Sequence, residues 1–186
     1  MPIIPNFLER LVVLKLNQAP GPLLDLWSAV GFRITVAAIR LDVFDALQEQ
    51  ARSAAQLAAQ IKTDARATAM LLDSLEALGY VQKRGARYLN TPMTTKWLTR
   101  AAPTNLAPFA RYWDALLRER WGDLEGSIRV GKPALDLYDW IEHQPELSRE
   151  FQNGMIALAR FTAAEVVGNL KLPRAARRVL DVGGGH

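Results

Sequence analysis

Residues 53–90 read SAAQLAAQIKTDARATAMLLDSLEALGYVQKRGARYLN, and their punctuation decides the fold of the first part of the chain. Ser53 stands three residues before Gln56, the spacing at which a hydroxyl and an amide cap a helix start reciprocally. A second helix opens at Thr63 or Asp64 and closes at Gly79, with Leu71, Leu75 and Leu78 spaced for one face. Two short strand-like runs follow around Arg84-Gly85, a hairpin signal. The order helix, turn, helix, hairpin predicts a winged helix-turn-helix.

Outward from this stretch nearly everything before Lys171 reads as helix. Asn6 with Glu9 repeats the capping-box pattern. A helix or helix pair spans about Leu23 to Leu47, and Trp27, Val30, Phe32, Ile34, Val36, Ile39, Val43 and Phe44 do not fit one narrow stripe. Such a helix needs cover on several sides, which a second copy of the chain would supply. An intertwined homodimer built from residues 6 to 50 is expected, and charge at Phe32 or Ile39 should break it. Thr91-Pro92 starts another helix, proline being tolerated in a first turn. After a connector at 101–105, Leu106, Phe109, Trp113, Leu116, Trp121, Leu124 and Ile128 recur near helical period until Gly131-Lys132-Pro133. A last helix runs from Pro145 to Gly168. RRVLDVGGGH (177–186) then reads as the first strand of a parallel sheet, which an all-helical fold would not use.

Composition excludes several classes. The 186 residues hold no cysteine and only two histidines, His143 and His186. Disulfide frameworks, thiolate metal sites and histidine clusters are therefore out, no metal is expected, and a cytoplasmic location fits. No leader pattern opens the chain, and Asp25, Arg33, Arg40 and Asp42 interrupt its most apolar region, so no membrane partner is expected. Residues 51–100 carry eight lysines and arginines against three carboxylates, which keeps nucleic acid under consideration. The second helix of the winged motif argues against it. It carries Arg66 against Asp64, Asp73 and Glu76, whereas a helix in a DNA groove meets phosphates on both sides.

Strand, acid and glycines are how a nucleotide-binding turn begins, because glycine lets the backbone approach a ligand. VLDVGGGH (179–186) resembles the first motif of class I S-adenosylmethionine-dependent methyltransferases. The chain as a whole resembles the N-terminal half of small-molecule O-methyltransferases of the caffeate, isoflavone and acetylserotonin type and their bacterial relatives. AAIRLDVFDAL (37–47), MLLDSLEALGYVQKRGARYLNTPMT (70–94), WGDLEGSIRVGKPA (121–134) and FQNGM (151–155) carry that resemblance in order.

The resemblance implies a fold that is mainly α. Residues 1–100 would be a winged-helix dimerisation domain and 101–170 connecting, substrate-lid helices. Residues 171–186 would start a Rossmann-like domain that binds S-adenosylmethionine and is incomplete on this chain. Gly183 and Gly185 would admit the cofactor's methionine part, with Asp181 beneath the turn. Phe151 and Met155, at i and i+4, would face cofactor and substrate. Trp121 and Trp113 would line or buttress the acceptor pocket beside Met155. For all four, helix core is the competing reading. Ala159 stands where the family often has serine, and the third glycine, the ribose-binding acid and the base histidine would all lie beyond His186. His143 reads as a surface helix end, and no catalytic residue is assigned.

The expected function is that of the N-terminal part of an O-methyltransferase for a small-molecule hydroxyl, inactive by itself. A non-catalytic dimer module of a split or degenerate methyltransferase is the alternative, and a DNA-binding regulator ranks below it. Asp42/Asp45 and Asp136/Asp139 read as solvated helix faces rather than acid–base pairs.

Overall fold

The computed structural model describes residues 6–16, 21–133, 135–171, 175–178, 180 and 182. The chain is mainly helical, with one two-stranded sheet among the described residues. It divides into two compact units, Met1–Arg100 and Ala101–His186.

In the first unit the Asn6–Glu9 capping box forms in both directions, at 2.7 and 2.9 Å, and opens α1 (Phe7–Arg10). A wider π-type turn follows over Leu11–Lys15. The apolar stretch proves to be a pair, α2 (Pro22–Arg40) and α3 (Val43–Ala46). The break falls at Asp42, whose φ of 57° is left-handed and ends the helix. Arg100 secures this corner. Its guanidinium bonds Asp42 and Asp45, and its backbone N–H donates to Asp45 at 2.8 Å. Read from sequence as a solvated face, the Asp42/Asp45 pair is in fact an anchor for the unit's last residue.

Burial along α2 is graded. Gly31, Thr35, Val36, Ala38 and Ile39 are buried, whereas Leu23, Leu26, Trp27 and Val30 are exposed. Charge at Ile39, 4% exposed, would therefore disrupt this chain's own core, and a test of association belongs at the exposed end. By length and mean hydropathy α2 could also cross a membrane, yet its C-terminal half packs inside the protein.

Ser53 and Gln56 cap α4 (Ala54–Ile61) reciprocally, and Asp64 caps α5 (Ala65–Ala77) by accepting from the Ala67 N–H at 2.8 Å. The buried line of α5 is Thr68, Leu72 and Leu75, rotated from the Leu71–Leu75–Leu78 line that spacing suggested. Leu72, fully buried, is the residue that pattern overlooked. Strands β1 (Val81–Arg84) and β2 (Arg87–Asn90) pair antiparallel from Val81–Asn90 to Arg84–Arg87. Gly85, at φ 60°, takes the left-handed backbone that a two-residue turn needs. The sequence pattern missed a further rung, an isolated bridge outside the hairpin's own ladder. Arg52 and Tyr88 exchange backbone hydrogen bonds at 3.0 and 2.8 Å, tying the start of α4 to the hairpin. The Asn90 side chain donates to the Phe44 carbonyl at 2.7 Å and so joins β2 to α3. Thr91 caps α6 (Pro92–Leu98).

On the other face of α5, Asp73 accepts from the Tyr88 hydroxyl at 2.6 Å and from the Lys83 ammonium at 3.2 Å. These two donors hold the Asp73 carboxyl below its ordinary range, the tyrosine foremost. A lowered folded-state pKa gives stability that is present above the unfolded-state value and lost as pH falls through the folded one. Urea titrations of the native chain and Asp73→Asn between pH 6 and pH 2 should show a gap that closes at the acid end. A gap that is constant with pH would rule out the carboxylate as its source.

The second unit contains α7 (Ala107–Ala115), a π-type turn (Leu116–Arg120), α8 (Leu124–Val130), α9 (Leu137–Glu142) and α10 (Pro145–Asn169). The periodic run from Leu106 to Ile128 is thus broken at Trp121–Asp123, and Ile128 on α8 is exposed. Asp136 and Asp139 are both exposed, as a solvated helix face would be, and Asp136 has a further task. It caps α9 by accepting from the Tyr138 and Asp139 N–H groups. The core gathers Tyr112, Leu116, Trp140, Ile141 and Leu147. Gly154 on α10 lies against Phe109 of α7, and Arg111 grips Glu150 through two bonds of 2.7 and 3.0 Å.

Residues 175–178 and 180 form no strand, and Leu180 and Val182 are exposed. A single extended segment gains backbone hydrogen bonds only from neighbouring strands, and the described residues offer none here. Asp181, Gly183, Gly185 and His186 lie outside the described residues.

Candidate functional site

The second unit collects aromatic side chains along α7, the turn after it and α10. Tyr112 and Phe151 lie 5.0 Å apart between ring centroids, and Phe109 meets Trp113 edge-on at 5.9 Å. Trp113 in turn meets Trp121 edge-on at 6.1 Å and 83°. Edge-to-face contacts of this kind satisfy the ring quadrupoles and fix ring orientation. Trp113 is half-buried, and its Nε1–H is buried with no hydrogen-bond partner among the described residues. A buried donor without an acceptor costs about 1–3 kcal/mol. Trp121 is 47% exposed and forms part of an open cleft of about 320 Å³. Leu124, Ser127, Ile128, Arg120 and Lys132 complete most of its lining.

The two tryptophans singled out in the sequence are therefore in contact, one inside and one at a cleft. Phe151 packs against the core, and Met155, one turn further along α10, is partly exposed. Of the residues expected on a cofactor, these two alone are described. Phe151 is committed to Tyr112, which leaves Met155 as the accessible one. Ala159 is exposed and offers no hydroxyl. His143 sits at the end of α9 with Nδ1 2.7 Å from the Asp139 carbonyl, a helix-end contact with its own backbone. No group of three or more potential metal ligands occurs among the described residues.

Arg120 and Lys132 were missed in the sequence because one belongs to a charged run, RER, and the other to a helix stop, GKP. Their flanking of Trp121 and of the α8 segment was the available signal. Burial pushes the Tyr112 hydroxyl upward, and the charge of Arg120 opposes that shift. The guanidinium is thus close enough to be felt within the aromatic cluster.

In the first unit one of the three hairpin cations, Lys83, is engaged by the helix beside it. Lys83 is bonded to Asp73, and its backbone N–H donates to Glu76. A hairpin lysine paired to an acidic helix is less available to phosphates.

Comparison with known proteins gives a family. Residues 31–100 match the O-methyltransferase dimerisation domain. The chain is 35% identical over 136 residues to O-demethylpuromycin-O-methyltransferase of Streptomyces alboniger, covering 69% of this chain and 36% of that protein. It is 29% identical to the tetracenomycin polyketide synthesis 8-O-methyl transferase TcmO of Streptomyces glaucescens, over 76% of this chain and 43% of that one. Among solved structures, PigF with SAH superposes with a TM-score of 0.70 at 25% identity, over 79% of this chain and 46% of that chain. Human N-acetylserotonin methyltransferase in complex with SAM shares the fold, with a TM-score of 0.68 at 22% identity over 92% of this chain and 51% of that one. The chain spans less than half the length of these two curated relatives. Residues 31–100 thus belong to the O-methyltransferase dimerisation-domain family, and the chain as a whole is similar to S-adenosylmethionine-dependent O-methyltransferases.

Proposed function

We propose that this chain is the dimerisation and substrate-lid part of an O-methyltransferase that acts in the cytoplasm on a small-molecule hydroxyl, phenolic or polyketide-like. The single observation that carries the reading is the family match at residues 31–100, followed on the same chain by an aromatic cleft. The first unit is read as a winged helix. Its helix–turn–helix–hairpin order and the Arg52–Tyr88 rung support that reading. Its role is to join two copies of the chain, with the exposed end of α2 as the joining face. Binding to DNA is disfavoured by the acidic face of α5 and by the engagement of Lys83.

In the second unit Trp121 lines the acceptor pocket and Trp113 buttresses it edge-on, and Met155 lies on the helix face turned to cofactor and acceptor. The indole face of Trp121 restricts the orientation of the ring, and holding two reactants in line contributes to the rate of such a transfer. When bound, S-adenosylmethionine supplies the sulfonium methyl group. Asp181, Gly183 and Gly185 are the residues proposed to hold it.

The test is transfer of labelled methyl from S-adenosylmethionine to a panel of phenols by the gene product purified from its native source. Label recovered as a methyl ether is expected, and label found only on nitrogen or carbon would overturn oxygen as the acceptor. Trp113→Phe separates pocket from core. As core alone, relief of an unpaired buried N–H is offset by lost ring volume and contacts, so stability should change by no more than about 1 kcal/mol. As pocket, it should also raise KM for the phenol severalfold while kcat changes little.

A further inference from the structure

The charge of the cleft beside Trp121 specifies its ligand more narrowly than "a phenol". Its lining contains two cations, Arg120 and Lys132, and no carboxylate. Neither cation forms an ion pair among the described residues, and two carboxylates that precede Arg120 are engaged elsewhere. Asp114 pairs with Arg118, and Glu119 accepts from Trp140 and lies within reach of Arg118. Arg120 is also held in place. Its Nε–H donates to the Leu135 carbonyl at 3.0 Å, which fixes the planar guanidinium and leaves its terminal nitrogens for another acceptor. Two cations on one small cleft repel each other, and an anion between them removes that cost. The indole of Trp121 supplies the flat apolar surface that an aromatic ring needs, and about 320 Å³ suits a molecule of one or two rings.

We propose that this cleft takes an aromatic acid, its ring against Trp121 and its carboxylate held by Arg120 and Lys132. The proposal rests on the reading of the cleft as the acceptor pocket, and it adds the acid group as the feature recognised. The planar fork of Arg120 is suited to bidentate contact with a carboxylate, and Lys132 contributes as a point charge.

Titration calorimetry of the 186-residue chain with 4-hydroxybenzoate and its neutral isostere 4-hydroxybenzamide tests this. All the cleft residues named belong to the second unit of this chain, so the chain itself must show the preference. The acid should bind about tenfold more tightly than the amide, the scale of one charge-assisted hydrogen bond. Arg120→Gln should bring the two ligands to nearly equal affinity, and Lys132→Gln, which disturbs no described backbone contact, should narrow the gap. Raising the salt concentration should weaken the acid alone. Equal affinities in the native chain would overturn the acid preference while leaving the cleft as an aromatic pocket. Binding of neither ligand would overturn the acid preference and the cleft reading together. A preference that survives both substitutions would place the carboxylate elsewhere and overturn the assignment.

Discussion

Gly154→Leu is expected to unfold the Ala101–His186 unit while the Met1–Arg100 unit keeps its helices. Gly154 is buried on α10, where a Cβ would stand 3.0 Å from the Cα, Cβ and Cδ2 of Phe109 on α7. Two of those atoms are fixed by the backbone of α7 and cannot swing away. Even alanine at this position must push the helices apart, at about 1–3 kcal/mol, partly offset by its better helix propensity. Leucine adds three more carbons where the helices already touch. It also displaces Phe109 from Tyr112 and Trp113 and so loosens the aromatic cluster that frames the cleft. The loss should exceed about 4 kcal/mol, a large share of the roughly 5–15 kcal/mol that holds a single domain folded. Urea unfolding followed by tryptophan fluorescence is the measurement, since Trp113, Trp121 and Trp140 all belong to this unit. A variant with native unfolding behaviour would mean that α7 and α10 do not cross at this glycine.

Pairing charges on the exposed end of α2 should separate the proposed dimer. Leu23, Leu26, Trp27 and Val30 recur at i, i+3, i+4 and i+7, a single stripe, and are 39–53% exposed. Their burial against a second copy would satisfy the apolar excess that the sequence already shows. The double variant Leu26→Asp/Trp27→Asp places two carboxylates in that face. Each interface residue of this kind is worth about 2 kcal/mol or more, so the dissociation constant should rise about a thousandfold. Light scattering after gel filtration should show the mass fall from twice 20.7 kDa to that value, with the helical circular dichroism retained. A native chain that is already monomeric would overturn this face as a homodimer surface. A native chain that sediments with phosphatidylcholine vesicles instead would assign the stripe to lipid, which the length and hydropathy of α2 permit.

Within the candidate site, sequence and structure divided along physical lines. Trp113 and Trp121 were legible because large aromatics at near-helical spacing stand out in any pattern. Their edge-on contact was not, since seven residues of helix and π-type turn separate them and only the turn geometry of Leu116–Arg120 brings the rings together. Arg120 and Lys132 were illegible as site residues. Single charges among many carry no local signal, and their meaning comes from sharing a cleft. Phe151 and Met155 were paired by their i, i+4 spacing, yet packing separates their roles, placing one on Tyr112 and leaving the other accessible.

The sequence by itself determined the places where the capped helices and the hairpin begin or turn. Asn6, Ser53, Asp64, Thr91, Gly79 and Gly85 act on the backbone within a few residues of themselves, so local chemistry fixes caps and turns without reference to the rest of the chain. Only the tertiary structure decided which face each helix buries and how remote residues join. The buried line of α5 turned from Leu71 to Leu72, the Arg52 rung crossed to Tyr88, and Arg100 reached back to Asp42 and Asp45. Those choices depend on burial and hydrogen-bond satisfaction over separations of tens of residues, which a local pattern does not contain.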